Sequence, residues 1–352
     1  MRSFDYENIW RGLLEPEIVS LLTTIHEYRG KEALYMEAKQ DALTQLMEIA
    51  RIQSTDASNR IEGIFTSDER LRKIVMDKTS PSNRSESEIA GYRDVLATIH
   101  ENYDYLPIKA SSILQLHRDL YKFDGNSIGG QYKINDNDIT EIDDKGKEFV
   151  RFHPVHAWET SESIDRLCEA YNSIIKKPYV DPLLIMPMFI LDFLCIHPFS
   201  DGNGRMSRLL TLLLLYQNRY NVGKYISIEK VINNSRETYY EVLQECSIGW
   251  HEEQNVYLPF VRYMLGILVS AYRDFSSRVS LLSTRGLSKP EIIREVIKET
   301  IGTITKAEIM AKCPDISHIT VQRALKELQE TGEIIKIGGG RYTSYTWNRE
   351  KQ

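Results

Sequence analysis

Cys195 to Tyr216 reads CIHPFSDGNGRMSRLLTLLLLY, two apolar runs separated by a histidine, an aspartate, two glycines, an asparagine and two arginines. Each run has the composition of a buried helix, so the polar insert interrupts what would otherwise be core. A helix starting near Asn203 leaves the backbone N–H groups of Gly202, Asn203, Gly204 and Arg205 without partners, and such an end attracts anions. Glycines at 202 and 204 let phosphate oxygens approach that backbone closely. Arg205 and Arg208 are three residues apart, which predicts a shared helix face from which both reach a polyphosphate. Asp201 offers one hard oxygen ligand beside those phosphates, the usual way Mg²⁺ is held. His197, fixed by Pro198, precedes the turn and is the natural general base near neutral pH. Taken singly, each residue has a structural explanation: a loop histidine, a glycine turn, a solvated arginine pair. Six such explanations within twelve residues account for the pattern less well than one phosphoryl or nucleotidyl site does. No GKS or GKT follows the glycines, so they do not form a P-loop.

Outward from this stretch the periodicity is helical, and the chain reads as mainly α. Helices are expected across Glu17–Ile61, where Leu34, Ala38, Leu46, Ile49 and Ile52 recur at three- and four-residue spacing, and at Glu88–Glu101, Ser111–Tyr121 and Ser161–Ile175. Gly129–Val155 has a different texture, rich in turn formers and β-branched residues, with Asp144-Lys145-Gly146 near its middle. It predicts a β-hairpin. Asp181 caps the next helix, Pro182 opens it, and Asp192 is its lone charged residue. Pro187 lies early enough in it to be tolerated or to kink it. Met186, Met188 and Leu209–Leu215 read as core. Later helices are predicted at Asn203–Asn218, Glu237–Cys246 and Val256–Ser280. LLSTRGLSKP, with Gly286 and Pro290, reads as a linker. Beyond it come three short helices, the third capped by Ser317 and stopped by Gly332, and then a strand, a glycine turn and a strand. That order predicts a small winged helix-turn-helix domain.

The signature HPFSDGNGRMSR, His197 to Arg208, resembles the motif HPFx(D/E)GNGRxxR of the Fic domain family at every fixed position, and the resemblance extends over most of the first 280 residues. It implies a Fic-type helical bundle with a β-hairpin flap, and a division into 1–100, an N-terminal helical region; 101–283, the catalytic domain; and 284–352, the winged helix. It implies protein adenylyltransfer, in which AMP passes from ATP to a Ser, Thr or Tyr hydroxyl of a target protein. By resemblance His197 is the base, Asp201 holds Mg²⁺, and Phe199 anchors the loop. Gly202, Asn203, Gly204 and Arg205 form the anion cradle, Arg208 holds the γ-phosphate, and Tyr239 and Tyr240 line the adenine pocket. The flap, about 130–155, would clamp the target segment by strand addition. Ser247 stands where some members carry an asparagine, a departure at the adenine end. SNRIEG, Ser58 to Gly63, fits the family's inhibitory pattern (S/T)xxxE(G/N), which implies that Glu62 pairs with Arg208 and denies it to ATP.

Other readings stay open at this stage. Gly204 argues against the phosphotransferase branch, which resembles this motif but carries a lysine there. De-AMPylation on the same site remains, because an inhibitory glutamate can also position water. A DNA-binding regulator is a third reading, with His318, Thr320, Gln322, Arg323 and Lys326 on a recognition helix Ser317–Thr331. There Glu327, Glu330 and Glu333 dilute the basic face, and a protein partner serves equally well. A homodimer is also compatible. The net charge of −6 argues against a nucleic-acid-coating protein overall. The longest apolar run, Leu209–Tyr216, is far shorter than the ~20 residues of a membrane span, so no membrane partner is expected. Cys168, Cys195, Cys246 and Cys313 form no CxxC pair, and the start of the chain does not resemble a signal peptide. A cytoplasmic location follows as the expectation. His117, His153 and His156 lack the carboxylate or thiol spacing of a metal site and read as core or flap supports.

Overall fold

The computed structural model describes residues 2–38, 40–125, 128–142, 148–283, 288–300, 302–313, 316–340 and 343–348. The hairpin turn Asp144-Lys145-Gly146, the linker glycine Gly286 and the side chains of Leu34 and Ala38 lie outside the described residues. The chain divides into two compact units, Met1–Val279 and Ser280–Gln352.

In the first unit the elements run α1 (Tyr6–Ile9), α2 (Pro16–Ala38), α3 (Gln40–Ile61), α4 (Asp68–Met76), α5 (Arg84–Asn102), α6 (Ala110–Leu120), β1 (Ile139–Ile142), β2 (Glu148–Phe152), α7 (Thr160–Ile174), α8 (Pro182–Ile196), α9 (Asn203–Gln217), α10 (Ile228–Asn234), α11 (Arg236–Ser247) and α12 (Leu258–Ser283). The centre is the pair α8 and α9. Every residue of α8 from Leu183 to Phe193 is buried, and in α9 only Gly204 and Gln217 are not. Asp181 caps α8 by accepting from the Leu183 N–H at 3.0 Å, and the helix runs through Pro187. A charge in the middle of such a helix needs full satisfaction. Asp192 obtains it by accepting from Tyr6 Oη at 2.6 Å, Trp250 Nε1 at 2.7 Å and Tyr257 Oη at 3.0 Å, with the Arg2 guanidinium 3.7 Å away.

A second buried carboxylate fixes α3. Glu229 accepts from Ser54 Oγ at 2.7 Å and Tyr92 Oη at 2.9 Å, tying α3 and α5 to α10. The strands β1 and β2 pair antiparallel as expected but are confined to residues 139–142 and 148–152. Sequence periodicity missed α1 and α10, which are too short for a clear apolar face, and also α4, although Leu71, Ile74 and Val75 recur there at three- and four-residue spacing.

In the second unit the order is α13 (Lys289–Glu299), β3 (Ile304–Thr305), α14 (Lys306–Lys312), α15 (His318–Glu330), β4 (Ile334–Ile337) and β5 (Ser344–Trp347), with an antiparallel sheet ordered β3-β5-β4. Ile293, Ile297, Ile309, Val321 and Leu325 fill its own core. Ser317 caps α15, and the two-residue strand β3 was not anticipated. The four cysteines are free and buried, and among the described residues no helix is long and apolar enough to cross a membrane.

Candidate active site

The polar insert forms the junction between α8 and α9. His197 ends α8 in a left-handed conformation, φ 51° and ψ 61°, which is uncommon for a residue with a Cβ and persists only where the surroundings dictate it. Those surroundings are dense. Phe199 is fully buried and stacks on His117, with ring centroids 3.7 Å apart. Asn203 folds back over the turn, accepting from the Phe199 N–H at 2.9 Å and donating to the Phe199 carbonyl at 2.7 Å. His117 accepts from the Gly130 N–H on Nδ1, so its Nε2 carries the proton donated to the Asp201 carbonyl at 3.1 Å. Lys133 donates its backbone N–H to the Pro198 carbonyl at 2.9 Å and its ammonium to the Ile196 carbonyl at 3.2 Å and Asn137 Oδ1 at 2.8 Å. Asn137 in turn donates to the Phe199 carbonyl at 3.2 Å.

Three of these supports, Lys133, Asn137 and His117, come from the segments before and inside the hairpin region. Sequence reading gave no role to Lys133 or Asn137, because neither spacing nor composition marks a side chain whose partner lies some sixty residues away. His117 was expected to be a core or flap support, and its bonds to Gly130 and Asp201 fit that expectation.

The catalytic-type groups face a cleft of about 240 Å³. His197, Arg208, Gly204 and Glu62 form its polar end; Leu191, Leu194, Cys195, Tyr239, Tyr240, Leu243 and Ser247 form an apolar floor and wall; Ile139, Arg151 and Phe152 close it from the hairpin. Tyr239 and Tyr240 pack edge to face, 5.5 Å between centroids. His197 Nδ1 lies 3.3 Å from the Leu194 carbonyl, which leaves Nε2 as the acceptor. Burial pulls the His197 pKa down to about 4, Lys133 adds to this, and Glu62 and Asp201 act in the opposite sense. Burial likewise brings Lys133 down to about 8, against the pull of Asp136 and Asp138.

The two motif arginines diverge. Arg205 is turned away from the cleft: it reaches Glu88 of α5 at 2.8 Å and donates to Tyr121 Oη at 2.7 Å, and its side chain is buried. Only Arg208 of the two lines the cleft, so in this structure the three-residue spacing does not bring both guanidinium groups to one point. On a helix buried all round, the nearest partner decides where each guanidinium goes, not the three-residue spacing. Gly202 also departs from the simple cradle, because its N–H is donated to Asp201 Oδ1 at 2.6 Å, while the amides of Asn203, Gly204 and Arg205 make no hydrogen bond among the described residues. Gly202 adopts φ 83°, and a Cβ there would lie 2.9 Å from Tyr121 Oη.

Arg208 does enter the cleft, and it is occupied. It donates from Nε to Ser58 Oγ at 2.8 Å, and from Nη2 to the Ser58 carbonyl at 2.9 Å and Glu62 Oε1 at 2.7 Å. Burial works against its charge, but Glu62 and the neighbouring tyrosines outweigh burial and hold its pKa above the ordinary arginine value. Gly204 makes room for this pair, since a Cβ there would fall 2.3 Å from Glu62 Oε1. Asp201 is half-exposed at the mouth of the turn, and among the described residues no cluster of three metal-ligating side chains exists. His153 and His156 pair with Asp138 at 2.8 Å and Asp136 at 2.7 Å at the base of the hairpin.

A loop locked by stacking and reciprocal hydrogen bonds between two buried helices, opening on a cleft, defines the class of site. Residues 107–215, from just before α6 into the last turn of α9, match the Fic/DOC family. Two curated relatives named Protein adenylyltransferase Fic, from Culex quinquefasciatus and Aedes aegypti, are 26% identical over 273 residues and 27% identical over 274. Each alignment covers 70% of this chain and 49% or 50% of the relative, so the chain spans about half the length of the curated relatives it matches. Among solved structures, a Fic family protein from Desulfovibrio desulfuricans G20 superposes with a TM-score of 0.61 at 21% identity, covering 96% of this chain and 98% of that one. Fic-1 from C. elegans gives 0.59 at 19%, covering 76% and 74%. Residues 107–215 are thus similar to the Fic/DOC family, and the helical scaffold has the Fic fold.

Proposed function

We propose that the chain is a protein adenylyltransferase that moves AMP from ATP to a hydroxyl of a target protein, and that the described arrangement is its self-inhibited state. The observation that carries this reading is the convergence of the His197 imidazole, the Arg208 guanidinium and a tyrosine-walled apolar cleft on one point, under a hairpin. The base of the nucleotide fits the apolar wall of Tyr239, Tyr240 and Leu243, and its phosphates fit the α9 N-terminus and Arg208. His197 Nε2 takes the proton of the target hydroxyl as its oxygen attacks the α-phosphorus, and the bond to pyrophosphate breaks. In that step positioning and charge neutralisation supply most of the rate. A His197 pKa near 4 leaves the ring neutral and able to accept at physiological pH, and an anionic nucleotide alongside would raise it toward the ideal for a general base.

Asp201, half-exposed and held by its neighbour's amide, by Tyr121 and by a distant Arg205, suits a Mg²⁺ ion that takes one carboxylate and otherwise phosphates and water. The ion would neutralise charge on the phosphates. Glu62, by holding Arg208, keeps the γ-phosphate from its site. A second reading, hydrolytic removal of AMP, rests on the same glutamate: Oε2 makes no hydrogen bond among the described residues and could order a water. We further infer that the C-terminal unit is a winged helix presenting α15, whose exposed face carries His318, Gln322, Arg323 and Lys326. Salt-sensitive binding to duplex DNA would identify its partner as nucleic acid rather than protein.

The test is incubation of the full chain with ATP and Mg²⁺, read by intact mass, for wild type, Glu62→Gly and His197→Ala in the Glu62→Gly background. Addition of one AMP to Glu62→Gly, its loss with His197→Ala, and its dependence on Mg²⁺ are expected. Addition of phosphate instead, or undiminished transfer without His197, refutes the proposal. Faster loss of AMP from a pre-modified protein with wild type than with Glu62→Gly would favour the hydrolytic reading.

A further inference from the structure

The hairpin contains an irregularity that changes what it can do. Ile139 is opposite Phe152 and Thr140 is opposite Val150, so Arg151 has no residue across from it: it is the extra residue of a β-bulge. In a regular strand, neighbouring side chains point to opposite faces. Here Arg151 and Phe152, consecutive in sequence, both line the cleft. The bulge is what turns Arg151 inward.

Once inside, Arg151 lacks an anion. Its guanidinium lies over the Tyr240 ring, 5.7 Å from the centroid, and it makes no ion pair or hydrogen bond among the described residues. Its Nε is shielded from solvent and has no acceptor. A buried donor left unsatisfied is unfavourable, and an arginine next to an apolar wall normally has a carboxylate beside it. The other cation of the cleft, Arg208, does have one, in Glu62. The arrangement is that of a ligand contact awaiting its acceptor.

We propose that Arg151 is a nucleotide-binding residue, delivered by the bulge from the hairpin so that the bound nucleotide is gripped from two sides of the chain, by Arg208 of α9 and Arg151 of β2. This rests on the adenylyltransferase reading. Guanidinium offers only donors, so its partner on the nucleotide is an acceptor atom, either a phosphate oxygen or an acceptor of the nucleoside. It also gives the hairpin a second task, because a strand placed to pair with a target segment would at the same time sense whether the nucleotide is present.

The experiment is calorimetric titration of full-length Glu62→Gly, Glu62→Gly/Arg151→Met and Glu62→Gly/Arg151→Lys with ATP and, separately, with adenosine, after thermal melts establish that each is folded. Arg151→Met should weaken ATP at least tenfold, and Lys should recover at most part, since it keeps the charge and loses the fork. A loss seen with ATP alone assigns the acceptor to the phosphates; a loss with both ligands assigns it to the nucleoside. ATP affinity within twofold of the Glu62→Gly parent overturns the proposal and leaves Arg151 to the target. Failure of the Glu62→Gly parent itself to bind ATP would instead bring down the nucleotide reading, and this inference with it. Should Arg151→Met not fold, the Lys variant decides by the same twofold criterion.

Discussion

Removing the carboxylate of Glu62 should tighten ATP binding by an amount the geometry constrains. The contact to be broken is one charge-assisted hydrogen bond of 2.7 Å, with an Arg208 side chain 2% exposed and a Glu62 side chain 32% exposed. Hydrogen bonds to charged groups contribute about 1.5–3 kcal/mol, and partial exposure of one partner lowers this to about 1–2 kcal/mol. At about 1.4 kcal/mol per decade, a γ-phosphate that no longer competes with Glu62 gains roughly 5- to 30-fold in apparent affinity. Arg208 keeps the Ser58 hydroxyl and carbonyl as acceptors in Glu62→Gly, so the protein should stay folded, with a lowered Tm. Glu62→Gln, which keeps the shape and loses the charge, should fall between the two. Calorimetric titration with ATP and Mg²⁺ measures the gain, and Arg208→Ala in the Glu62→Gly background should abolish it. A Kd unchanged within twofold in a folded Glu62→Gly protein, or a gain that survives the loss of Arg208, would refute the competition.

Two further outcomes concern a support of the loop and the buried histidines. Lys133→Met leaves the Ile196 carbonyl without its donor and loosens the left-handed turn at His197, so kcat should drop about tenfold or more while the ATP Kd stays within twofold; single-turnover kinetics and calorimetry on the Glu62→Gly background check this. Burial holds His100 at about 3 and His117 and His197 at about 4, all below the ordinary histidine value of 6.5. Between pH 6.5 and 4 the unfolded chain therefore binds protons that the folded one refuses, so this stability is fully present above pH 6.5 and is lost as pH falls toward 4. Urea midpoints should decline from pH 7 to pH 5, and an unchanged midpoint would contradict the burial of these rings.

The helical bundle and the motif were legible because their signals are local. A run such as Leu183–Ile196, polar only at Asp192, can only be a central helix, and the turn from His197 to Arg208 holds its chemistry within twelve residues. Aim was not legible. Arg205 and Arg208 differ in sequence position by three, yet one turns to Glu88 and the other to Glu62, because what lies opposite each is set by α5 and α3 rather than by α9. Lys133 and Asn137 escaped for the same reason: their acceptors are carbonyls of the turn, and any residue type could have supplied those. The bulge at Arg151 is a matter of register, which depends on the partner strand, so the spelling of β2 alone could not reveal it.

The position of Glu62 sets the tempo of any switch built on it. α3 is pinned through Ser54 to Glu229 two turns upstream, and Glu62 follows its last helical residue, with only its side chain reaching Arg208. Letting go of the arginine requires rotation about side-chain bonds, not displacement of a helix. Rotamer changes of partly exposed side chains take picoseconds to nanoseconds. Such a device has no memory: occupancy of Arg208 would track the nucleotide concentration of the moment. Progress curves would start without a lag, and washing out ATP would restore the closed pair faster than any mixing experiment could follow.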